Sequence, residues 1–130
     1  MAVLAGCGGS DSATDTNASL NGDYQFIAAE VYDPGTDTFC DQGGTISFNG
    51  SGAFTMSGTK RCSDSTTVEI SSISDAGGYT VNPDGSFNVT GQDGEVFHGQ
   101  ILLDGNSLLL DSTGRLSAGT LLNHGVAMKR

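Results

Sequence analysis

The chain of 130 residues contains no tryptophan, two prolines, five basic residues and two histidines. Each scarcity excludes something. With two prolines the chain is not a Pro-rich stalk, and with Lys60-Arg61 and Lys129-Arg130 as its only basic pairs it offers no basic face to nucleic acid. The histidines, His98 and His124, lie in no His-x-Glu, His-Glu-x-x-His or Cys-x-x-Cys-His pattern, and no Gly-x-Ser-x-Gly elbow is present. Glutamate is also scarce: 3 Glu stand against 12 Asp. Asp serves turns and caps whereas Glu serves helix faces, so the acid usage leans towards β structure. The 20 glycines point the same way, to a fold rich in tight turns. The net charge of −10 gives an acidic surface that suits solubility and favours cationic partners.

From Leu20 onward the dominant period is two. "TISFN", "AFTMS", "TVEIS", "YTVN" and "SFNVT" alternate apolar with polar or small residues, which marks strands buried on one face. "NGSG", "SDAGG", "NPDG", "GQDG", "LDGN" and "DSTG" punctuate them as turns. The pattern predicts an all-β, antiparallel meander of eight or nine strands over residues 21–130. Nearest-neighbour hairpins of that number close into an up-and-down barrel, which removes exposed edges.

Two hairpins can be placed in register. A three-residue loop at Pro83-Asp84-Gly85 sets Val81 against Phe87 and Tyr79 against Val89. A loop at Gly50-Ser51-Gly52 sets Phe48 against Phe54 and Ile46 against Met56. Extended outward, that register brings Cys40 opposite Cys62, give or take a bulge at Gly43-Gly44. In an oxidising compartment these two thiols are expected to form a disulfide.

In "GQILLDGNSLLLDS" leucines occupy both strand faces. One arrangement turns Leu102 and Leu109 outward as an interaction surface, with Leu103, Leu108 and Leu110 inward; the other sandwiches the whole hairpin in the core. Asp33, Asp37 and Asp41, four apart in an expected loop, are weak Ca²⁺ candidates, since Asp is also this chain's habitual turn residue. No other cofactor is indicated.

Leu4-Ala5-Gly6-Cys7, followed at once by "GGSDSATDTNAS", resembles the lipobox of bacterial lipoproteins. The resemblance implies that Cys7 is lipidated and becomes the first mature residue, with two or three acyl chains anchoring the protein to a membrane. Gly8, where an Asp would signal inner-membrane retention in Gram-negative lipoproteins, implies the outer membrane. Only Met1-Ala2-Val3 precede the box, so residues 1–6 are read as the remnant of a truncated signal peptide. Residues 7–20 are then the lipidation site and a flexible tether, too polar to offset their ordering entropy. "LNGDYQFIA" is similar to the opening strand of lipocalin-like barrels, though that family's tryptophan is missing. The resulting expectation is a non-catalytic binding or interaction module of the bacterial cell envelope, with a protein or a small apolar molecule as partner. A self-assembling envelope component, an inhibitor of a cationic hydrolase, and a hydrolase using His98 or His124 with a nearby Asp are the alternatives.

Overall fold

The computed structural model describes residues 16–33, 38–64, 66–92, 94, 96–114 and 121–130, so Cys7 and Asp37 lie outside the described residues. Eight strands follow one another: β1 (Asn21–Asp33), β2 (Thr38–Asn49), β3 (Ala53–Ser63), β4 (Val68–Val81), β5 (Ser86–Gly91), β6 (Val96–Ile101), β7 (Ser107–Gly114) and β8 (Leu121–Lys129). Each pairs antiparallel with the next, and β8 returns to β1 to close the barrel. The expected up-and-down barrel is therefore the observed one, with eight strands.

Alternation aims one residue in two at the barrel interior. Tyr24, Phe26, Ile46, Phe48, Phe54, Tyr79, Val81, Phe87, Val89 and Leu108 are buried there. Phe48 is the hub: it meets Tyr24, Tyr79 and Phe87 edge-on at centroid distances of 5.7, 5.0 and 6.2 Å. Each such pair adds about 0.5–1.5 kcal/mol beyond the apolar area it buries. Burial pushes the phenols of Tyr24 and Tyr79 above their ordinary values, so both stay neutral.

Both expected hairpin registers are present. Phe48 faces Phe54, Ile46 faces Met56, and the ladder runs without a bulge past Gly43 and Gly44 to Cys40 opposite Cys62. Those cysteines form the disulfide. In the second hairpin Asn82 donates its N–H to Ser86 O at 2.8 Å and Gly85 donates to Asn82 O at 3.0 Å. Gly85 takes φ +84°, the left-handed turn position for which glycine is suited.

Four expectations are corrected. "SDAGG" is not a turn but the middle of the 14-residue β4, because its backbone is paired to β3 as far as Gly78 and to β5 from Gly77. "DSTG" likewise continues β7, held by β8. The tether does not reach residue 20: residues 16–18 form one helical turn, and Leu20 is fully buried. Tyr79 donates its hydroxyl to Leu20 O at 2.7 Å, and the Asn17 side chain accepts the Val81 N–H at 2.9 Å, so these local partners offset the ordering cost. Many glycines, finally, sit inside strands rather than turns. A Cβ on Gly44 would lie 2.1 Å from Ser57 O, so the facing pair Gly44 and Gly58 lets two strands coil closely.

Candidate functional site

The inward half of each strand leaves little room. A Cβ on Gly99 would fall 2.2 Å from the Phe87 ring, and one on Gly91 would fall 2.1 Å from the Asp75 carboxylate. Among the described residues the interior positions are filled, from the end capped by Leu20 down to the level of these glycines. The candidate site is therefore on the outer wall.

That wall has two characters. On β2, β3 and β4 the cross-strand neighbours are hydroxyls: Thr45 faces Ser57, Ser57 faces Ser74, and Thr59 faces Ser72. Side chains of this kind suit a face that meets water, whereas a membrane-spanning barrel presents an apolar band to lipid. On β7, β8 and β1 the outer wall carries an aliphatic row instead. Leu109 faces Val126, and Val126 faces Ile27, in one row across three strands. They are 47%, 51% and 71% exposed, and Met128 beside them is 64% exposed. Directly opposed side chains lie about 5 Å apart, so the row is continuous and exposes on the order of several hundred Å², the scale of an interaction site.

The row continues onto Gly43, the partner of Ile27 on β2. Having no side chain, Gly43 leaves an open groove of about 430 Å³ lined by Ile27, Gln42, Gly43, Thr59, Ile70 and the Asp41–Arg61 pair. Arg61 donates to Asp41 at 2.6 Å. Both groups are half-exposed, so the pair contributes little to stability but gives the groove one polar edge.

The residues expected from sequence are distributed as follows. Leu102 and Leu109 point outward, and Leu108 and Leu110 point inward. Leu103, expected inward, is instead fully exposed at the tip of a four-residue loop. Leu102 closes that loop by donating its N–H to Ser107 O at 2.9 Å, and Ile101 takes the inward place opposite Leu108. Of the Ca²⁺ candidates, Asp33 ends β1 with its backbone opposite Thr38, and Asp41 belongs to strand β2, where Arg61 engages its carboxylate. Among the described residues no three His, Cys, Asp or Glu groups stand in position to hold a metal.

His124, expected beside a bulge or turn, lies within β8. Its Nδ1 stands 3.8 Å from Asp111, and His98 Nδ1 meets the Asn88 side-chain oxygen at 2.5 Å. Both imidazoles are exposed on the outer wall rather than gathered in a cleft.

The acids of the turns have a structural task. Asp64 accepts the N–H groups of Thr66 and Thr67 at 2.7 and 2.6 Å, which holds its carboxyl at a pKa of about 2. Asp84 is lowered first by the Ser86 hydroxyl and then by the Ser86 N–H, and Asp104 by the Asn106 N–H and then by the Ser107 hydroxyl. Part of the large negative charge is thus spent on closing hairpins.

Ile27, Val126 and Ile70 are the surface residues that sequence reasoning missed. The available signal was apolar side chains at the wrong parity: Ile27 between the inward Phe26 and Ala28, and Val126 beside the inward Ala127.

No protein-family model and no curated protein matches the chain. Among solved structures it is similar to a de novo designed fluorescence-activating β-barrel, with a TM-score of 0.53 and 15% identity, over 89% of this chain and 98% of that one. At that identity the likeness is one of fold.

Proposed function

We propose that this protein is a non-catalytic interaction module, displayed on the bacterial outer membrane by a lipid at Cys7, that recognises a partner through the outer wall of β7, β8 and β1. The observation that carries the reading is the exposed row Leu109–Val126–Ile27 on a barrel whose described interior is packed from Leu20 to the level of Gly91 and Gly99. Burying such a row against a partner removes apolar area from water at about 25 cal/mol per Å². The net charge of −10 favours a partner with a basic rim and speeds its encounter. The eight residues from Gly8 to Asp15 span at most about 25–30 Å between a lipid at Cys7 and the barrel.

The test uses the chain expressed behind a lipoprotein signal peptide, carrying a photo-crosslinking residue at position 126 or, on the hydroxyl face, at position 57. Adducts formed at 126 and not at 57 support the reading. Equal labelling at both positions contradicts it. Labelled palmitate should enter the precursor and be lost on Cys7→Ser; label that persists in that variant rules out this anchor.

A second reading, a small apolar ligand held inside the barrel, draws support from the fold it shares with a barrel designed for fluorescence activation. The filled positions in front of Gly91 and Gly99 weigh against it.

A further inference from the structure

The two ends of an up-and-down barrel differ, and here one of them receives the N-terminal segment. Residues 16–20 pack where β1, β3, β5 and β7 begin: Tyr79 donates its hydroxyl to Leu20 O, and Asn17 accepts the Val81 N–H. The loops 50–52, 82–85 and 102–106 lie at that same end. The first two carry no large apolar side chain apart from Pro83. The third carries Leu102 and Leu103, and Leu103 is 110% exposed, the most of any large apolar residue among those described. That exposure is built into the turn. Gly105, at φ +69°, donates its N–H to Leu102 O at 2.9 Å. The Asp104 carboxylate turns back to accept the N–H groups of Asn106 and Ser107, both at 2.9 Å, which leaves the leucine standing out of a closed loop.

Cations stand beside these leucines. Lys129 donates its N–H to Asn106 O at 2.7 Å, and Arg130 donates to Asp23 O at 2.9 Å, which seats one of the two basic pairs of an acidic chain against the leucine loop. Both side chains are exposed, and Met128, opposite Ser107, extends the apolar edge. Leucines flanked by long cationic side chains suit a lipid interface: the leucines enter below the headgroups while the cations reach the phosphates. Chain length selects this end for the contact. Between Cys7 and Thr16 lie eight residues, at most about 25–30 Å. The 13 residues of β1, at about 3.3 Å each and a tilt of about 40°, rise about 33 Å along the barrel axis. A lipid at Cys7 thus holds the leucine end against a bilayer and the far end away from it.

We infer, resting on the lipid anchor at Cys7, that the 102–106 loop seats on a phospholipid bilayer, with Leu102 and Leu103 at the apolar boundary and Lys129 and Arg130 on headgroup phosphates. In the closed ring of eight strands the β2–β3 loop is diametrically opposite the β6–β7 loop, so the seated barrel leans with its β6–β7 side down and loop 50–52 raised. The seating gives the barrel one orientation. It thereby orients the wall of β7, β8 and β1, whose row Leu109–Val126–Ile27 lies further along the strands than the loop.

The probe is a phosphatidylcholine vesicle containing a maleimide lipid, coupled to the full chain at Cys7, the one thiol outside the disulfide. Chemical coupling supplies the anchor whether or not cells attach one, so a failure of lipidation at Cys7 shows only in the palmitate test. The chain has no tryptophan, so Leu103→Trp, Ser51→Trp and Gln92→Trp each report a single place: the loop, the opposite side of the same end, and the far end. Brominated lipid chains should quench Leu103→Trp by about twofold or more, with blue-shifted emission, and leave Ser51→Trp and Gln92→Trp nearly unquenched. Met128→Trp reads the native leucines: its quenching should fall by about half when Leu102 and Leu103 both become Ser, and should also fall with Lys129→Gln and Arg130→Gln together. Equal quenching at 103 and 51, no quenching at 103, or quenching of Met128→Trp indifferent to the leucines or to the cation pair would each overturn the seating.

Discussion

Substituting Gly99→Ala tests whether the barrel interior is as full as its geometry implies. The added Cβ would lie 2.2 Å from Phe87 Cζ and 2.6 Å from both Cε atoms, where an ordinary contact needs more than 3.4 Å. Phe87 is 1% exposed and its ring already abuts Phe48, so it must move by about an ångström into a packed aromatic cluster. Overpacking of this kind costs about 1–3 kcal/mol, partly offset by the 0.4–1 kcal/mol that Ala gains from a stiffer unfolded chain. Gly78→Ala is the internal control. Gly78 faces outward, its Cβ would meet Gly52 O at an ordinary 3.4 Å, and the change should be neutral or slightly stabilising. Urea titration followed by circular dichroism and tyrosine fluorescence reads both, the chain having no tryptophan. Pairing Gly99→Ala with Phe87→Leu should cost less than the two changes summed, by about 0.5 kcal/mol or more. If Gly99→Ala proves as stable as Gly78→Ala, the packing argument fails.

Thiol titration under denaturing, non-reducing conditions should find one reactive thiol per chain, Cys7, and replacing Cys40 and Cys62 together by Ser should cost about 3 kcal/mol; three reactive thiols would refute the bond. The Asp64 carboxyl is held at about 2, below its unfolded value, so its contribution is complete at neutral pH and is lost as pH falls from about 4 towards 2. The urea midpoint should fall over that window, and Asp64→Asn should make the fall shallower; identical acid profiles would remove Asp64 as a cause. Leu102→Ser should change stability by about 0.5 kcal/mol or less, whereas Leu108→Ala, at a fully buried position, should cost about 2–5 kcal/mol; equal losses would return the whole hairpin to the core.

How far the structure could be read from the sequence depended on turn chemistry. Pro83-Asp84-Gly85 and Gly50-Ser51-Gly52 each determine a loop length, and a loop length determines a register. The Cys40–Cys62 pairing follows by counting outward along one ladder. Where a turn was wrongly inferred, parity was lost. With "SDAGG" read as a break, Val68 and Ile70 look like a buried alternating face. In the continuous β4 they share the outward parity of Thr80 and are 63% and 71% exposed. Local composition could not reveal this, because pairing to β3 and β5 overrides the turn preference of Asp-Ala-Gly-Gly. The candidate site was legible only at Leu102 and Leu109. Val126 and Ile27 join Leu109 through the β7–β8 and β1–β8 registers, and barrel closure is a long-range event that no short window encodes.

Titration of a neutral, environment-sensitive dye such as Nile red most directly separates an outer binding wall from a hollow barrel. With the described interior filled from Leu20 to the level of Gly91 and Gly99 and the apolar row exposed, dye fluorescence should rise only weakly and without one-to-one saturation. That rise should disappear in the triple variant Ile27→Thr, Leu109→Thr, Val126→Thr, which keeps the barrel folded because all three side chains face outward. Stoichiometric, saturable uptake that survives the triple variant and is abolished by changing the interior Val89 would contradict the outer-wall account.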